Sequence, residues 1–293
     1  MSALPGAARG WQARLALGFE TVAQRTVLMQ QRHSGPLLVQ RPFYPESAGQ
    51  TDGSGAVEPC HVYVLHPPGG VASGDDLALE IDVGTHAHAL ITTPAAAKFY
   101  RRSQAGTARV HQSLRIRGGT LEWLPQENIL YPDAAVELHS IVRLEDSAAA
   151  ARFIGWEIGC LGLPARSLDL GAGVVRQRFE VWREDRPLLL ERLNVDREAL
   201  GARWGLGGHA AFGTAIACPA GAAEHARTLE FIAAEDGDCA QLLLASTLVD
   251  GALICRATAR RTDRLRQAFV RWWQALRPAM LARRAVSPRI WST

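Results

Sequence analysis

The stretch CHVYVLHPPGGVASGDD (residues 60–76) brings together side chains that could bind a phosphate or a metal ion. It contains two histidines, a cysteine, a glycine-rich segment and two carboxylates. Gly69 and Gly74 have the glycine spacing of a phosphate-binding loop, which also requires a lysine and a hydroxyl group. Asp75 and Asp76 stand in that position instead. Because two carboxylates repel a triphosphate, we exclude nucleotide binding at this loop.

Metal binding is an open alternative for the histidines of this region. Alternate residues of an extended strand share a face, so Cys60 and His66 would point the same way, as would His86 and His88. Imidazole nitrogens suit zinc, copper and nickel. The sequence has no compact ligand motif such as HExxH or paired CxxC. A permanent, tightly bound metal ion is therefore not predicted.

The same stretch is also typical of a turn between two strands. Its PPGG sequence (67–70) ends one strand and allows the positive φ of a sharp reversal. Asp75 and Asp76 could then accept hydrogen bonds from free backbone amides before the next strand. This explanation of the two aspartates needs the fewest assumptions.

Nucleophilic catalysis finds little support in the sequence. There is no G-x-S-x-G nucleophile elbow. Glu122 and Glu127 resemble a catalytic carboxylate pair, but they could equally be strand-face charges around a turn. We therefore predict that the chain is not an enzyme.

The elements that must position these residues are mainly strands. Polar and apolar residues alternate over 78–83, 110–117 and 136–144, and this period of two predicts half-buried strands. Proline and glycine turn signals separate the strands. Short strands at close spacing predict a mainly β fold rather than βαβ units.

Three segments are predicted to be helical: 147–161, 221–235 and 262–281. The last is amphipathic, with an apolar stripe that includes Trp272 and, off the stripe, four arginines: Arg264, Arg266, Arg271 and Arg277. Such a C-terminal helix could bind a partner through Trp272 and Trp273. The commoner alternative is a terminal helix that packs on a sheet.

The composition of the chain limits the classes of protein to which it can belong. The 293 residues carry a formal net charge of +3, which is too small to predict binding to nucleic acid. No apolar run reaches the length of a membrane span, and the N-terminus lacks the apolar core of a signal peptide. Five scattered cysteines fit a reducing cytoplasm. We expect a mobile N-terminus (1–10), a single domain (11–293) and a polar loop (46–59) with little reason to order.

Six stretches in order resemble one family, the urease accessory protein UreD, also called UreH. They are GPLLVQRPFYPE (35–46), CHVYVLHPPGGVASGDDLALEIDV (60–83), HALITTPAAAKFYR (88–101), LEWLPQENILY (121–131), FIGWEIGCLGLPA (153–165) and WREDRPLLLERLNVD (182–196). Each stretch alone is weak evidence for the family, but the six occur in the same order and together cover nearly the whole chain.

The resemblance implies a function that composition and spacing do not. It implies a urease maturation factor in the cytoplasm, which joins UreF and the GTPase UreG to the structural subunits of apo-urease and conducts nickel toward the urease active site. The resemblance also implies that no cofactor is permanently bound and that nickel is in transit. The implied fold is a β-helix-like stack of many short strands with a few helices.

A nickel conduit needs polar groups that hold a divalent ion only briefly. The conduit candidates are the carboxylates of Asp75, Asp76, Glu80 and Glu157, with His66, His86 and His88 as weaker ones. Glu157 interrupts an apolar run, so its carboxylate must be paired or hydrated if buried. The structural alternative is that Glu157 caps backbone groups or pairs with an arginine such as Arg166.

Two other functions stay open at this point. One is a stand-alone nickel-binding metallochaperone. The other is a β-helix carbohydrate-active enzyme, which would need two carboxylates flanking an open groove.

Overall fold

The computed structural model describes residues 10–46, 57–103, 106–235 and 241–292. The predicted mobile N-terminus lies, apart from Gly10, outside these residues. So do Cys239 and most of the predicted polar loop. The cysteines at 60, 160, 218 and 255 are buried and free.

Strands dominate the described part of the chain and form two sheets. Sheet I has the order β14-β13-β11-β8-β5-β1-β2, with the bounds β1 Gln12–Val22, β2 Arg25–Ser34, β5 Asp76–Val83, β8 Ala108–Arg117, β11 Ala135–Glu145, β13 Val174–Arg183 and β14 Arg186–Val195. Sheet II has the order β16-β17-β15-β12-β9-β6-β4-β3, with β3 Leu38–Val39, β4 Cys60–Leu65, β6 His88–Thr92, β9 Thr120–Leu124, β12 Arg152–Leu161, β15 Ala211–Cys218, β16 Leu242–Val249 and β17 Ala252–Ala259. Two short strands, β7 Ala97–Phe99 and β10 Asn128–Leu130, pair with each other, and β10 also pairs with β12.

The chain alternates between the two sheets as it proceeds from β4 to β13. Within sheet I, β1, β5, β8, β11 and β13 are parallel neighbours. Within sheet II, β4, β6, β9 and β12 are parallel neighbours. Antiparallel pairs, such as β13 with β14 and β16 with β17, flank the parallel strands. The fold is therefore mainly β with mixed sheets, and the strands predicted at 78–83, 110–117 and 136–144 are confirmed.

The helices are α1 Arg197–Gly201, α2 Ala222–Glu235 and α3 Thr262–Leu281, with 3-10 turns at Pro164–Arg166 and Arg289–Ser292. The helices predicted at 221–235 and 262–281 are confirmed. No helix in the described part of the chain is both long and apolar enough to span a membrane.

The helix predicted at 147–161 is wrong, because most of it is strand β12. β12 runs through the middle of sheet II between β9 and β15 and is almost entirely buried. A strand buried on both faces reads as a continuous apolar run, which periodicity cannot distinguish from a buried helix. Gly155 fits this packing, because a Cβ there would lie 2.8 Å from the backbone oxygen of Trp123.

Within the residues that the structure describes, this arrangement forms two apolar cores. The larger one lies between the sheets and includes Leu79 of sheet I and Trp123 and Phe153 of sheet II. The second lies between the other face of sheet II and the helices, and it includes Trp156 and Phe269. Sheet II is thus covered on both faces, which fixes where buried polar side chains can occur.

Candidate functional site

A cavity of about 250 Å³ lies between the two sheets. Most of its lining is apolar, and the polar lining groups include His66, Gln112, Trp123 and Glu157. Leu77 and Leu79 line it from sheet I, with Glu157 reaching it from β12 of sheet II. A space of this size accommodates several water molecules when polar groups line it.

Among the described residues that line the cavity, Glu157 is the only one with a carboxylate. It is 5 % exposed. One of its oxygens accepts a hydrogen bond from Ser140 Oγ, and Oε2 accepts one of 2.6 Å from Gln177 Nε2. Ser140 is in β11 and Gln177 in β13, so sheet I supplies both donors. The predicted alternative, pairing with Arg166, is wrong, because these neutral donors occupy the carboxylate.

Burial raises the pKa of Glu157 to about 7, although the bonds from Ser140 and Gln177 act in the opposite direction; the charge of Glu191 adds to the rise. A carboxyl group with this pKa gains and loses its proton near neutral pH. Glu157 can therefore exchange a proton for a cation, and no ion pair with a charged side chain has to be broken first.

Two further polar atoms at the cavity lack hydrogen-bond partners within the described ranges. They are Trp123 Nε1 and His66 Nε2. Burial lowers the pKa of His66, against the opposing charge of Asp75, so its ring is neutral at pH 7. A neutral imidazole can ligate a metal ion, and His66 lies on the cavity face as the strand pattern predicts.

The other three carboxylate candidates do not join Glu157. Asp75 accepts hydrogen bonds from the backbone N–H groups of Trp11 and Ala72, at 2.8 and 2.7 Å, so the turn explanation holds for it. Asp76 and Glu80 alternate with the buried residues of β5 and lie on the outer face of sheet I. Of the four carboxylates proposed from the sequence, only Glu157 is among the described residues that line the cavity.

A separate group of buried charges, the ion cluster, lies on the helix face of sheet II. The guanidinium of Arg277 donates to Glu122 (Nε–Oε2 2.9 Å) and to Glu46 (Nη2–Oε1 2.7 Å). His88 Nε2 lies 2.7 Å from Glu122 Oε1, and His61 Nε2 lies 2.8 Å from Glu46 Oε1. All five side chains are buried. The cluster therefore fastens α3 to sheet II.

The pKa values of the two carboxylates in the ion cluster, Glu46 and Glu122, shift opposite to that of Glu157. Burial acts to raise the pKa of Glu122, but the charge of Arg277 and the hydrogen bond with His88 outweigh it and hold the pKa well below its usual range. Burial lowers the pKa of His88. Glu122 is thus a permanent anion, paired with a permanent cation, and it is not free to bind and release an ion in transit.

Several sequence predictions are corrected by this cluster. Arg277, predicted to lie off the apolar stripe, is fully buried. Glu46, predicted to belong to an unordered polar loop, is 1 % exposed. His88 is engaged by Glu122, whereas His86 is exposed in a turn with φ of 63°, so the two histidines do not form one site.

The predicted partner contacts of Trp272 and Trp273 are corrected as well. Both indoles are fully buried. Trp272 Nε1 donates to Thr228 Oγ1 at 3.1 Å, and Trp273 Nε1 donates to Glu122 Oε2 at 2.6 Å. These residues fix the helix to the body of the protein, which was the alternative that the sequence left open.

Sequence reasoning missed the donors around Glu157. Ser140 and Gln177 sit on strands whose inner residues are otherwise apolar. A polar residue at an inward position of an alternating strand indicates a buried hydrogen bond. Its partner cannot be read from the sequence, because it depends on how the two sheets are aligned. Among the residues that the structure describes, no group of three or more His, Cys, Asp or Glu side chains could hold a metal ion.

Comparison with known proteins identifies the family. The family model for the UreD urease accessory protein matches residues 12–292. A protein of Alcanivorax borkumensis named urease accessory protein UreD is 40% identical, over 98% of this chain and 94% of its own length. Proteins of the same name from Enterobacter sp. strain 638 and Escherichia coli are 39% and 38% identical, each over 97% of this chain and 96% and 98% of their own lengths.

Proposed function

Because the chain belongs to the UreD urease accessory protein family, we propose that it serves in the maturation of urease, as a scaffold that also conducts nickel. The names of its relatives are those of accessory proteins and not of enzymes, in line with the prediction that the chain is not an enzyme. One structural observation carries the proposal of nickel passage. Glu157 lines a cavity between the sheets among neutral donors, and burial raises its pKa to about 7.

Glu157 would act as a relay for a divalent cation. When nickel approaches, the carboxyl group releases its proton and supplies one anionic oxygen, while His66 can add one neutral nitrogen. Nickel bound by so few protein ligands dissociates readily, since tight sites surround a metal with a complete ligand set. Conduction requires this balance of entry and release.

The partners that we propose are UreF, the GTPase UreG and the structural subunits of urease, with the cytoplasm as location. Membership of the family supports these partners. We also propose that the alternation of parallel strands between sheets I and II is a β-helix-like stack. Such a stack would enclose a space between the two sheets that runs along its axis.

The experiment is co-expression of this chain with urease subunits and the other accessory proteins at limiting nickel. We expect nickel-loaded, active urease with the chain and little without it. Equal nickel content and activity without the chain would falsify a role in maturation.

The passage is tested separately with Glu157→Gln, which keeps the shape but removes the titrating group. We expect intact assembly, measured by pull-down with the other accessory proteins, but less nickel per urease. Glu80→Gln is the matched control, because Glu80 is exposed on the outer face of sheet I. If both variants load urease like the wild type, nickel does not pass Glu157.

The stand-alone metallochaperone makes a different prediction. It requires tight, stoichiometric binding of nickel by the isolated chain. Equilibrium dialysis distinguishes the two functions, since the proposed passage gives only weak binding.

A further inference from the structure

Strand β16 is an end strand of sheet II and carries no charged side chain along its sequence LLLASTLV. In the described part of the chain, no backbone group pairs with its outer edge. Natural sheets protect such edges with charged side chains, proline, bulges or very short strands. β16 has eight residues, no proline and a register with β17 that shows no bulge. Its outer edge is therefore open to another strand.

The other three end strands of the two sheets have the protection that β16 lacks. β3 has only two residues. The pairing of β2 with β1 and that of β14 with β13 each shift at a bulge. Both strands carry charged side chains, Arg25 and Arg32 in β2 and Arg186 and Arg192 in β14, and β14 also contains Pro187. Among the described edges, β16 is thus the one suited to accept a strand.

The hairpin of β16 and β17 determines which backbone groups of β16 face outward. It closes at the pair Val249 and Ala252 across a two-residue turn (250–251), whose φ angles of 51° and 77° are both positive. Such a turn follows a hydrogen-bonded pair, and at the other end of the hairpin Arg260 N donates to Gln241 O. Hydrogen-bonded pairs alternate along an antiparallel ladder, so odd-numbered residues of β16 bond to β17. The remaining residues turn their N–H and C=O groups outward: Leu242, Leu244, Ser246 and Leu248.

The side chains of β16 also leave one face and one hydroxyl group without a partner. Leu243 and Val249 are 49% and 45% exposed, whereas Leu244 and Leu248 pack against the core between sheet II and the helices. Ser246 alternates with these two, and its Oγ is buried with no hydrogen-bond partner among the described residues. A buried hydroxyl group without a partner is unfavourable, so a strand that supplied one at this position would stabilise the edge.

We infer that two copies of this chain pair through β16, antiparallel and around a two-fold axis at Ser246, so that sheet II continues from one copy into the other. Of the outward-facing residues, Ser246 lies nearest the middle of the strand, so an axis there gives the longest overlap. Leu244 then lies opposite Leu248 of the second copy, and their outward backbone groups bond to each other. On the open face, Leu243 lies opposite Val249 of the second copy, which removes both exposed side chains from water.

Three features favour a second copy as the occupant of this edge over a different protein. Serine side chains directly opposite each other in a sheet can hydrogen-bond, so each Ser246 supplies the partner that the other lacks. An uncharged strand that pairs with itself brings no like charges together. The assembly also closes at two copies, because β3 at the other end of sheet II is too short to accept a strand.

The first test measures the mass of the isolated full chain by sedimentation equilibrium over a wide range of concentration. We expect twice the chain mass of 31.8 kDa. The double variant Leu243→Lys with Val249→Lys puts like charges directly opposite each other at both ends of the paired strands. It should raise the dissociation constant of the dimer by more than about tenfold. Leu190→Lys is the matched control, because Leu190 is 56% exposed on the edge strand β14 and should leave the dimer unchanged.

A charge reversal tests the register and shows that the loss of the dimer is not a loss of folding. Leu243→Lys with Val249→Glu changes the same two positions, but it places opposite charges across the two-fold axis at both ends. This variant should recover the dimer that the double lysine variant loses, since only the sign of one charge differs. Recovery is expected only if residues 243 and 249 of the two copies face each other. Unfolding midpoints of the two variants should agree, which shows that both are folded.

Hydrogen exchange of the segment 242–249 gives a measurement that needs no variant. The outward amides of Leu244, Ser246 and Leu248 should exchange slowly at high protein concentration and faster on dilution, because pairing protects them only in the dimer.

Two results would overturn the inference without touching the proposed role in nickel passage, which depends on Glu157. One is a single-chain mass at every concentration, and the other is a double lysine variant that stays dimeric. If the amides of β16 become protected only when another accessory protein is added, the edge binds that protein and the pairing of two copies is wrong.

Discussion

Glu157 and Glu122 lie on the neighbouring strands β12 and β9 of sheet II, but on opposite faces. Glu157 faces sheet I and meets the neutral groups of Ser140 and Gln177. Glu122 faces α3 and meets the guanidinium of Arg277. Burial acts to raise the pKa of both, yet the pKa of Glu157 rises to about 7 and that of Glu122 falls.

The difference shows that burial alone does not assign a role to a carboxylate. A buried anion with a permanent counter-charge is a fixed part of the structure, and removing either partner leaves an uncompensated charge. A buried carboxyl group with only neutral donors has a raised pKa, and a nearby cation favours its ionised form. The helix face of sheet II therefore carries a permanent ion pair, and the inner face carries a carboxyl group whose donors are neutral.

The largest effect is expected from Arg277→Met. Two buried carboxylates lose their main counter-ion, so the free energy of unfolding should fall by about 3–5 kcal/mol. Arg266→Met in the same helix is the control, because Arg266 is partly exposed and its nitrogen lies 3.7 Å from Glu127. Urea denaturation measures both. Equal losses would mean that the ion cluster does not hold α3.

The next effect is a pair of pH profiles of opposite sign. In the unfolded state Glu157 loses its proton above pH 4.5, whereas in the folded state burial raises its pKa to about 7. Protonation of Glu157 therefore stabilises the fold fully below pH 4.5, and this contribution is lost as the pH rises to about 7. Relative to Glu157→Gln, the wild type should lose about 3 kcal/mol across that window.

Glu122→Gln should show the reverse profile. The pKa of Glu122 is lowered in the fold, so its contribution is fully present above pH 4.5 and is lost as the pH falls through the folded-state value. The variant is therefore most destabilised at neutral pH and approaches the wild type in acid. Urea denaturation as a function of pH checks both profiles, and parallel profiles would contradict the assignment of the two carboxylates.

A smaller effect separates the two neighbouring indoles. Trp273→Phe removes a hydrogen bond to the charged Glu122, and Trp272→Phe removes one to the neutral hydroxyl of Thr228. Both indoles are fully buried, so the loss of volume is common to both. We expect Trp273→Phe to be more destabilising by about 1 kcal/mol, measured by thermal or urea unfolding. The opposite order would place Glu122 in a less charged state.

The smallest effect is expected from Glu80→Gln, which sets the baseline for an exposed carboxylate. Because Glu80 lies on the outer face of sheet I, the free energy of unfolding should change by less than about 0.5 kcal/mol between pH 5 and 8. A larger change would show that charge on the outer face affects the fold.

The sequence by itself determined three strands of sheet I (β5, β8 and β11), the helices α2 and α3 and the turn at residues 67–76. These elements depend on local periodicity and on the backbone preferences of proline and glycine. It also carried the family, through six ordered stretches. It failed at β12, where burial on both faces erases the alternation that marks a strand.

Only the tertiary structure decided the role of each charged residue. Glu46 and Arg277 are far apart in the chain, yet their side chains meet at 2.7 Å, and nothing in the local sequence of either indicates a buried partner. Glu157 and Glu122 look alike in sequence, as single carboxylates within apolar runs. The face of sheet II on which each lies, and the charge that meets it there, come from strand register and helix packing, which bring together residues that no local pattern connects.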